Sequence, residues 1–137
     1  MKRHLISKLT LTLGAILYLA VIPYLEWNDS HVFNPDWPAH ARFHEVWQLS
    51  TNIALGILVL WLCWRRSQFV LSGVINCLVM GGVLVSHALS DHIGSTVKSG
   101  NIAKLILGQD LAVIVALIVV LSSITVVLNH RKTAEKQ

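Results

Sequence analysis

Apolar residues dominate four long stretches of the chain, at positions 5–25, 46–64, 69–90 and 102–128, and short polar segments separate them. About 20 apolar residues in an α-helix cross the hydrocarbon core of a bilayer, so each stretch has the length of one transmembrane helix. The second helix is expected to start ahead of its apolar run, because Pro38 suits the first turn of a helix and Asp36 the cap before it. The predicted elements are helices at about 5–25, 38–64, 69–91 and 102–128, with an outer loop at 26–37, in a single membrane domain over 1–137. The turn Arg65-Arg66-Ser67-Gln68 is too short for anything but antiparallel neighbours. The fold class is therefore all-α, an antiparallel bundle of four transmembrane helices.

Composition agrees with that pattern. The 137 residues are 54% hydrophobic and 13% charged, too few polar groups for a soluble globule of this size. If four helices alternate, Lys2, Arg3, Lys8, Arg65, Arg66, Arg131, Lys132 and Lys136 fall on one side, and Glu26, Asp29, Asp36, Glu45 and Asp91 on the other. The positive-inside rule then puts both termini in the cytoplasm, with the protein in the cytoplasmic membrane if it is bacterial. Trp27, Trp37 and Trp47 lie near the outer face and Trp61 and Trp64 near the inner one, as aromatic belts do. The basic start Met1-Lys2-Arg3-His4 resembles that of a signal peptide, but Tyr18-Leu19-Ala20 puts a bulky residue where cleavage wants a small one, so the first helix is expected to stay. The net charge of +4 sits at chain ends and one turn, which argues against nucleic acid as a partner. Membrane lipids, and further copies of the chain, are the partners this composition suits. Cys63 and Cys77 fall at different depths with no CxxC spacing, so neither a disulfide nor a thiolate metal site is expected.

The chemistry concentrates at the outer side. In a helix, residues four apart stack on one face, which aligns His40 with His44 and Gln48, and His87 with Asp91. Asp110 would lie about 12 Å inside a helix that starts near 102, at 1.5 Å per residue. An isolated aspartate there costs roughly 2.5 kcal/mol or more, so Asp110 is expected to face the interior, either protonated or ionised against His87, His44 or a metal. Nitrogen and carboxylate donors suit zinc, iron, manganese or copper, and the sequence does not choose among them. The expected site brings His44, His87 and Asp110 together, with Gln48 as a floor, His40, Asp91 and His92 as outer ligands, and Asp110 or Glu45 as proton carrier. Blander roles are expected for solvated His4 and His130, and for His31 as a turn contact. Arg42, between two histidines, suits an anion. Gly108, Ala112 and Ala116, and Gly82 with Ser86, have the four-residue spacing that lets membrane helices approach closely. Ser50, Thr51, Asn52 and Asn76 are expected to bond between helices.

Asp29, His31, Asn34-Pro35, Trp37-Pro38 and His40-Ala41-Arg42-Phe43-His44 together resemble the signature of a family of small four-helix membrane proteins of unknown function, found in bacteria and fungi. The resemblance implies the four-helix fold and a role for the loop, and it implies no activity. Three functions fit the residues. The first is a metal-assisted membrane enzyme acting on a lipophilic small molecule. The second is a proton- or cation-coupled transporter using Asp110 and His87, which with four helices requires an oligomer. The third is an accessory subunit whose histidines fasten its outer loops.

Overall fold

The computed structural model describes residues 2–97, 105–106 and 108–134. Four of its helices are long and apolar enough to cross a membrane: α1 (Lys2–Glu26), α2 (Ala39–Arg65), α3 (Phe69–Ala88) and α5 (Leu111–Ala134). Between the last two come a single turn, α4 (Ser90–Ile93), and a two-stranded antiparallel hairpin of β1 (Leu105–Ile106) and β2 (Gln109–Asp110).

Local chemistry explains where these elements begin and end. In α1, Leu17–Val21 form a π-helical turn, with the Ile22 amide donating to the Leu17 carbonyl. Pro23, which has no N–H to give, follows in the next turn, where a wider turn upstream tolerates the missing bond. The start of α2 is set by backbone rather than by the expected Asp36 side chain: the Ala41 and Arg42 amides donate to the Pro38 carbonyl, and Pro38 itself is the cap. The third helix stops at Ala88, short of the expected 91, where Ser90 Oγ donates to the His87 carbonyl at 2.8 Å and Leu89 forms a turn residue ahead of α4.

The largest departure from expectation is the fourth helix. It starts at Leu111 rather than near 102, because Gly108 has φ +78°, which a right-handed helix cannot contain, and Leu105 and Ile106 pair instead with Asp110 and Gln109. Gly108 is therefore a turn residue and not part of a helix-packing stripe. Ala116 of that stripe is fully buried, whereas Ala112 is exposed. Ile102, the expected start of the fourth helix, and Lys136 lie outside the described residues.

The bundle has the cross-section of a diamond. The most extensive interface is between α3 and α5, α1 touches all three other long helices, and among the described residues α2 and α5 share no comparable face. The core along the short diagonal contains Leu11, Ala15, Tyr18, Val59, Cys63, Met80 and Ala116. At its centre the fully buried Tyr18 hydroxyl donates to Asn76 Oδ1 at 2.6 Å, and Asn76 Nδ2 donates to the Leu11 carbonyl at 3.1 Å. Asn76 thus bonds between helices as expected, and its buried polar atoms are matched within the bundle. The close approach is made at glycines: a Cβ on Gly14 would lie 2.6 Å from Asn76 Nδ2, one on Gly56 2.6 Å from Leu19 Cβ, and one on Gly73 2.6 Å from Val127 Cγ2.

One end of the bundle carries the termini and the tight 65–68 turn. There Trp64 Nε1 donates to Thr12 Oγ1 at 2.9 Å, Lys8 lies over the Trp64 ring at 5.2 Å, and Ser7 Oγ is 2.9 Å from His130 Nε2. His130 is half-buried, in ring contact with Phe69 and His4, and so not the solvated flank the sequence suggests. The described residues at this end include Lys2, Arg3, Arg65, Arg66, Arg131 and Lys132, while Glu26, Asp29, Asp36, Glu45, Asp91 and Asp110 all belong to the opposite end.

Candidate functional site

Loop 27–38, at the carboxylate-bearing end, is knotted by its own hydrogen bonds. Asn28 Oδ1 accepts from both the Ser30 amide at 2.8 Å and the Ser30 hydroxyl at 2.7 Å. Asn34 Nδ2 donates to the Ser30 carbonyl at 3.1 Å, and the Asp36 amide donates to Asn34 Oδ1 at 2.9 Å. These are Asx-type turns, in which a short amide side chain stands in for backbone. His31 is the fastener: its Nε2 is 2.7 Å from Glu26 Oε2, its Nδ1 is 2.8 Å from Ser30 Oγ, and its ring meets Trp37 edge-on at 5.8 Å. Glu45 lies within electrostatic range of this pair. Arg42 Nη1 donates to the Asn34 carbonyl at 2.8 Å, so the arginine ties α2 to the loop. The residues from Asn28 to Arg42 therefore hold the loop as one compact cap across the ends of α1 and α2.

The expected ligands are distributed differently from the sequence reading. His40 and His44 do meet, Nε2 to Nε2 at 3.0 Å, on an exposed stripe of α2 that continues through Phe43 and Trp47. His87 is half-buried near the end of α3, and Asp91 is exposed on α4, one turn residue (Leu89) beyond it. Asp91 and His92 sit exposed on the single turn α4. Asp110 is the last residue of the hairpin, directly before Leu111, and is not in a helix interior. The depth of about 12 Å expected for it rests on a helix start near 102, whereas the helix starts at Leu111. Among the described residues, no group of three or more His, Cys, Asp or Glu side chains is arranged to hold a metal ion. The expected centre on His44, His87 and Asp110, with His40, Asp91 and His92 around it, finds no support in this donor geometry.

What the structure assembles instead is a cleft between α2 and α3. It has a volume of about 320 Å³ and combines Gln48, Asn52, Ser86 and His87 with an apolar floor of Met80 and Val83. Residues after α3, Ser90, Ser95 and Thr96, complete its lining. Gln48 and Asn52 also line a shallower depression that leads to His44 and Trp47. Among the described residues no hydrogen bond is made to the His87 imidazole, so its ring nitrogens remain for whatever enters. Asn52 was read as an interhelical bonder and Ser86 as a packing residue; the signal that joins them to His87 is that their helices are antiparallel neighbours, which the short 65–68 turn already implied.

Four helices long and apolar enough to cross a membrane, with one amphipathic cleft, make a small all-α bundle consistent with a multi-pass membrane protein. Within that class, the chain belongs to a family of unknown function (DUF6640), whose model matches residues 11–134. No curated protein matches the chain, and no solved structure does.

Proposed function

We propose that the protein is a membrane-embedded enzyme acting on a lipophilic small molecule with one polar end, which enters the α2–α3 cleft sideways from the bilayer. In this reading the helices α1, α2, α3 and α5 span the membrane, both termini are cytoplasmic, and the cleft opens in the outer leaflet. The observation that carries it is the composition of the cleft wall. Gln48, Asn52, Ser86 and His87 meet within one depression of two otherwise apolar helices, above a floor of Met80 and Val83. Polar groups are costly to hold at membrane depth, and when they converge on a cavity rather than on one another they mark a ligand path. A hydrocarbon tail fits the floor, and a hydroxyl or carbonyl fits the amides and hydroxyls. His87 is the group with acid–base capacity near neutral pH, so it would exchange the proton with the bound polar end.

The test compares membranes from cells expressing wild type, His87→Gln or Asn52→Leu by untargeted lipid and small-molecule analysis. An enzyme predicts that at least one lipophilic species accumulates in both variants and is depleted in wild type. Identical profiles across all three, with protein levels equal, would overturn the reading.

A further inference from the structure

A second groove lies at the opposite end of the bundle, between α1 and α5. At about 510 Å³ it is larger than the α2–α3 cleft, and its wall runs from Arg3 and Asn129 at the mouth to Thr10, Ser122, Thr125 and Val126 further in. The inner wall is mostly apolar, and the hydroxyls of Ser122 and Thr125 are satisfied. Ser122 Oγ donates to the Val119 carbonyl at 3.1 Å and Thr125 Oγ1 to the Leu121 carbonyl at 2.9 Å, bonds within α5 that leave methyl and methylene surface toward the groove. The mouth is cationic. Arg3, which also donates to the Asn129 carbonyl, has five N–H donors in a planar fork, so one such bond leaves most of the fork for another acceptor. Lys2, Arg131 and Lys132 stand at the same end, and no described carboxylate does.

We propose that this groove is a binding site for an anionic phospholipid, with the phosphate held by Arg3 and one acyl chain lying along Ile6, Thr10, Thr125 and Val126. The inference goes beyond the α2–α3 cleft and shares with it only the premise that the helices span a bilayer. Charge selects the headgroup. A zwitterionic lipid would bring an ammonium group to an end of the bundle where the described ionisable side chains are all basic, whereas an anionic lipid brings only the charge that Arg3 and its neighbours complement. A planar guanidinium also suits a phosphate better than an ammonium does, because it bonds two oxygens at once. The groove distinguishes this site from general attraction to an anionic surface, since Arg65 and Arg66 are equally basic and at the same end but do not line the groove, and Arg66 lies over the Trp61 ring at 5.5 Å.

The experiment is native mass spectrometry of the full-length protein in mild detergent, titrated with phosphatidylglycerol or phosphatidylcholine. Phosphatidylglycerol is expected to bind in preference. Arg3→Gln should weaken it about fivefold, the effect of one basic residue at a membrane surface. Arg3→Lys should recover part of that loss, and Arg66→Gln should change it by less than twofold. Thr125→Trp, an exposed position that fills the groove and leaves every charge in place, should also weaken it. It serves as the second probe should Arg3→Gln fold poorly. Equal losses for Arg3→Gln and Arg66→Gln, no effect of Thr125→Trp, or displacement of the lipid by inorganic phosphate at equal concentration would each overturn the assignment. None of these readouts involves His87, so they stand or fall apart from the proposed enzyme.

Discussion

Gly14→Ala adds one methyl group at the most crowded point of the bundle. The new Cβ would lie 2.6 Å from Asn76 Nδ2 and 3.0 Å from Val119 Cγ1, both inside van der Waals contact. Asn76 cannot swing aside freely, because its oxygen accepts from Tyr18 at 2.6 Å and its nitrogen donates to Leu11 at 3.1 Å. Relief therefore means separating α1 from α3 and α5, or breaking one of those bonds. Overpacking of this kind costs about 1–3 kcal/mol. A broken interhelical hydrogen bond in a membrane bundle adds roughly 0.6 kcal/mol on average. Against this stands the better helix propensity of alanine, roughly 0.8–1.0 kcal/mol. The steric term wins, and a net destabilisation of about 1–2 kcal/mol is expected.

The assay is reversible unfolding in mixed micelles, comparing Gly14→Ala, Asn76→Ala and the double variant. Truncating Asn76 removes the nearer of the two clashing groups, so the methyl should cost much less in that background, and the cycle should show positive coupling. Wild-type or greater stability for Gly14→Ala would refute the reasoning, since propensity would then dominate and the helices would not be as close as the structure has them. Additivity in the cycle would refute the role given to Asn76.

Other outcomes follow from the same geometry. The proposed topology, with both termini cytoplasmic, predicts that a cysteine at Ser30 reacts with an impermeant thiol reagent added outside intact cells and that one at Lys132 does not; the reverse pattern would invert the topology. Asp110 directly precedes Leu111, the position from which a carboxylate can accept from first-turn amides, so Asp110→Ala is expected to lower stability by roughly 0.5–2 kcal/mol while Asp110→Asn changes little. Equal stability of all three proteins in an unfolding titration would remove the capping role. Arg42→Ala deletes the 2.8 Å bond to the Asn34 carbonyl, at a cost of about 1 kcal/mol. Amide exchange should accelerate across residues 28–37 and not within α3, and uniform protection would show that the loop holds without its tether.

Which parts of this protein can be read from sequence depends on how local their causes are. Hydropathy is local, and the four membrane-length helices follow from it with ends off by a few residues where a backbone cap at Pro38 or a serine at Ser90 intervenes. The start of α5 was misjudged for a reason visible only in three dimensions. Residues 102–107 are apolar enough to continue a helix, but Gly108 takes a positive φ, and one such residue converts the stretch before Leu111 into a hairpin. That single dihedral also moves Asp110 from a costly interior position to a helix start.

The site was half-legible for a related reason. Spacing of four correctly paired His40 with His44, because an i, i+4 relation is settled within one helix. His87 and Asp91 instead fall in two successive helices, α3 and α4, with Leu89 as the turn residue between them. Relations between helices depend on rotation about each axis, which is set by which small residues meet. Gly14, Gly56 and Gly73 make those contacts, while Gly81 and Gly82, adjacent in sequence, face nothing within 4 Å. A glycine motif therefore identifies a possible close approach and not the face that uses it. Because the polar pair Tyr18 and Asn76 lies where Gly14 admits α3, the rotation of α3 is pinned at its middle. That rotation turns His87 and Ser86 toward Gln48 and Asn52 to form the cleft. Substitutions at Gly14 and Asn76, far from the cleft in sequence, should accordingly alter what the cleft binds by turning α3 rather than by touching the ligand.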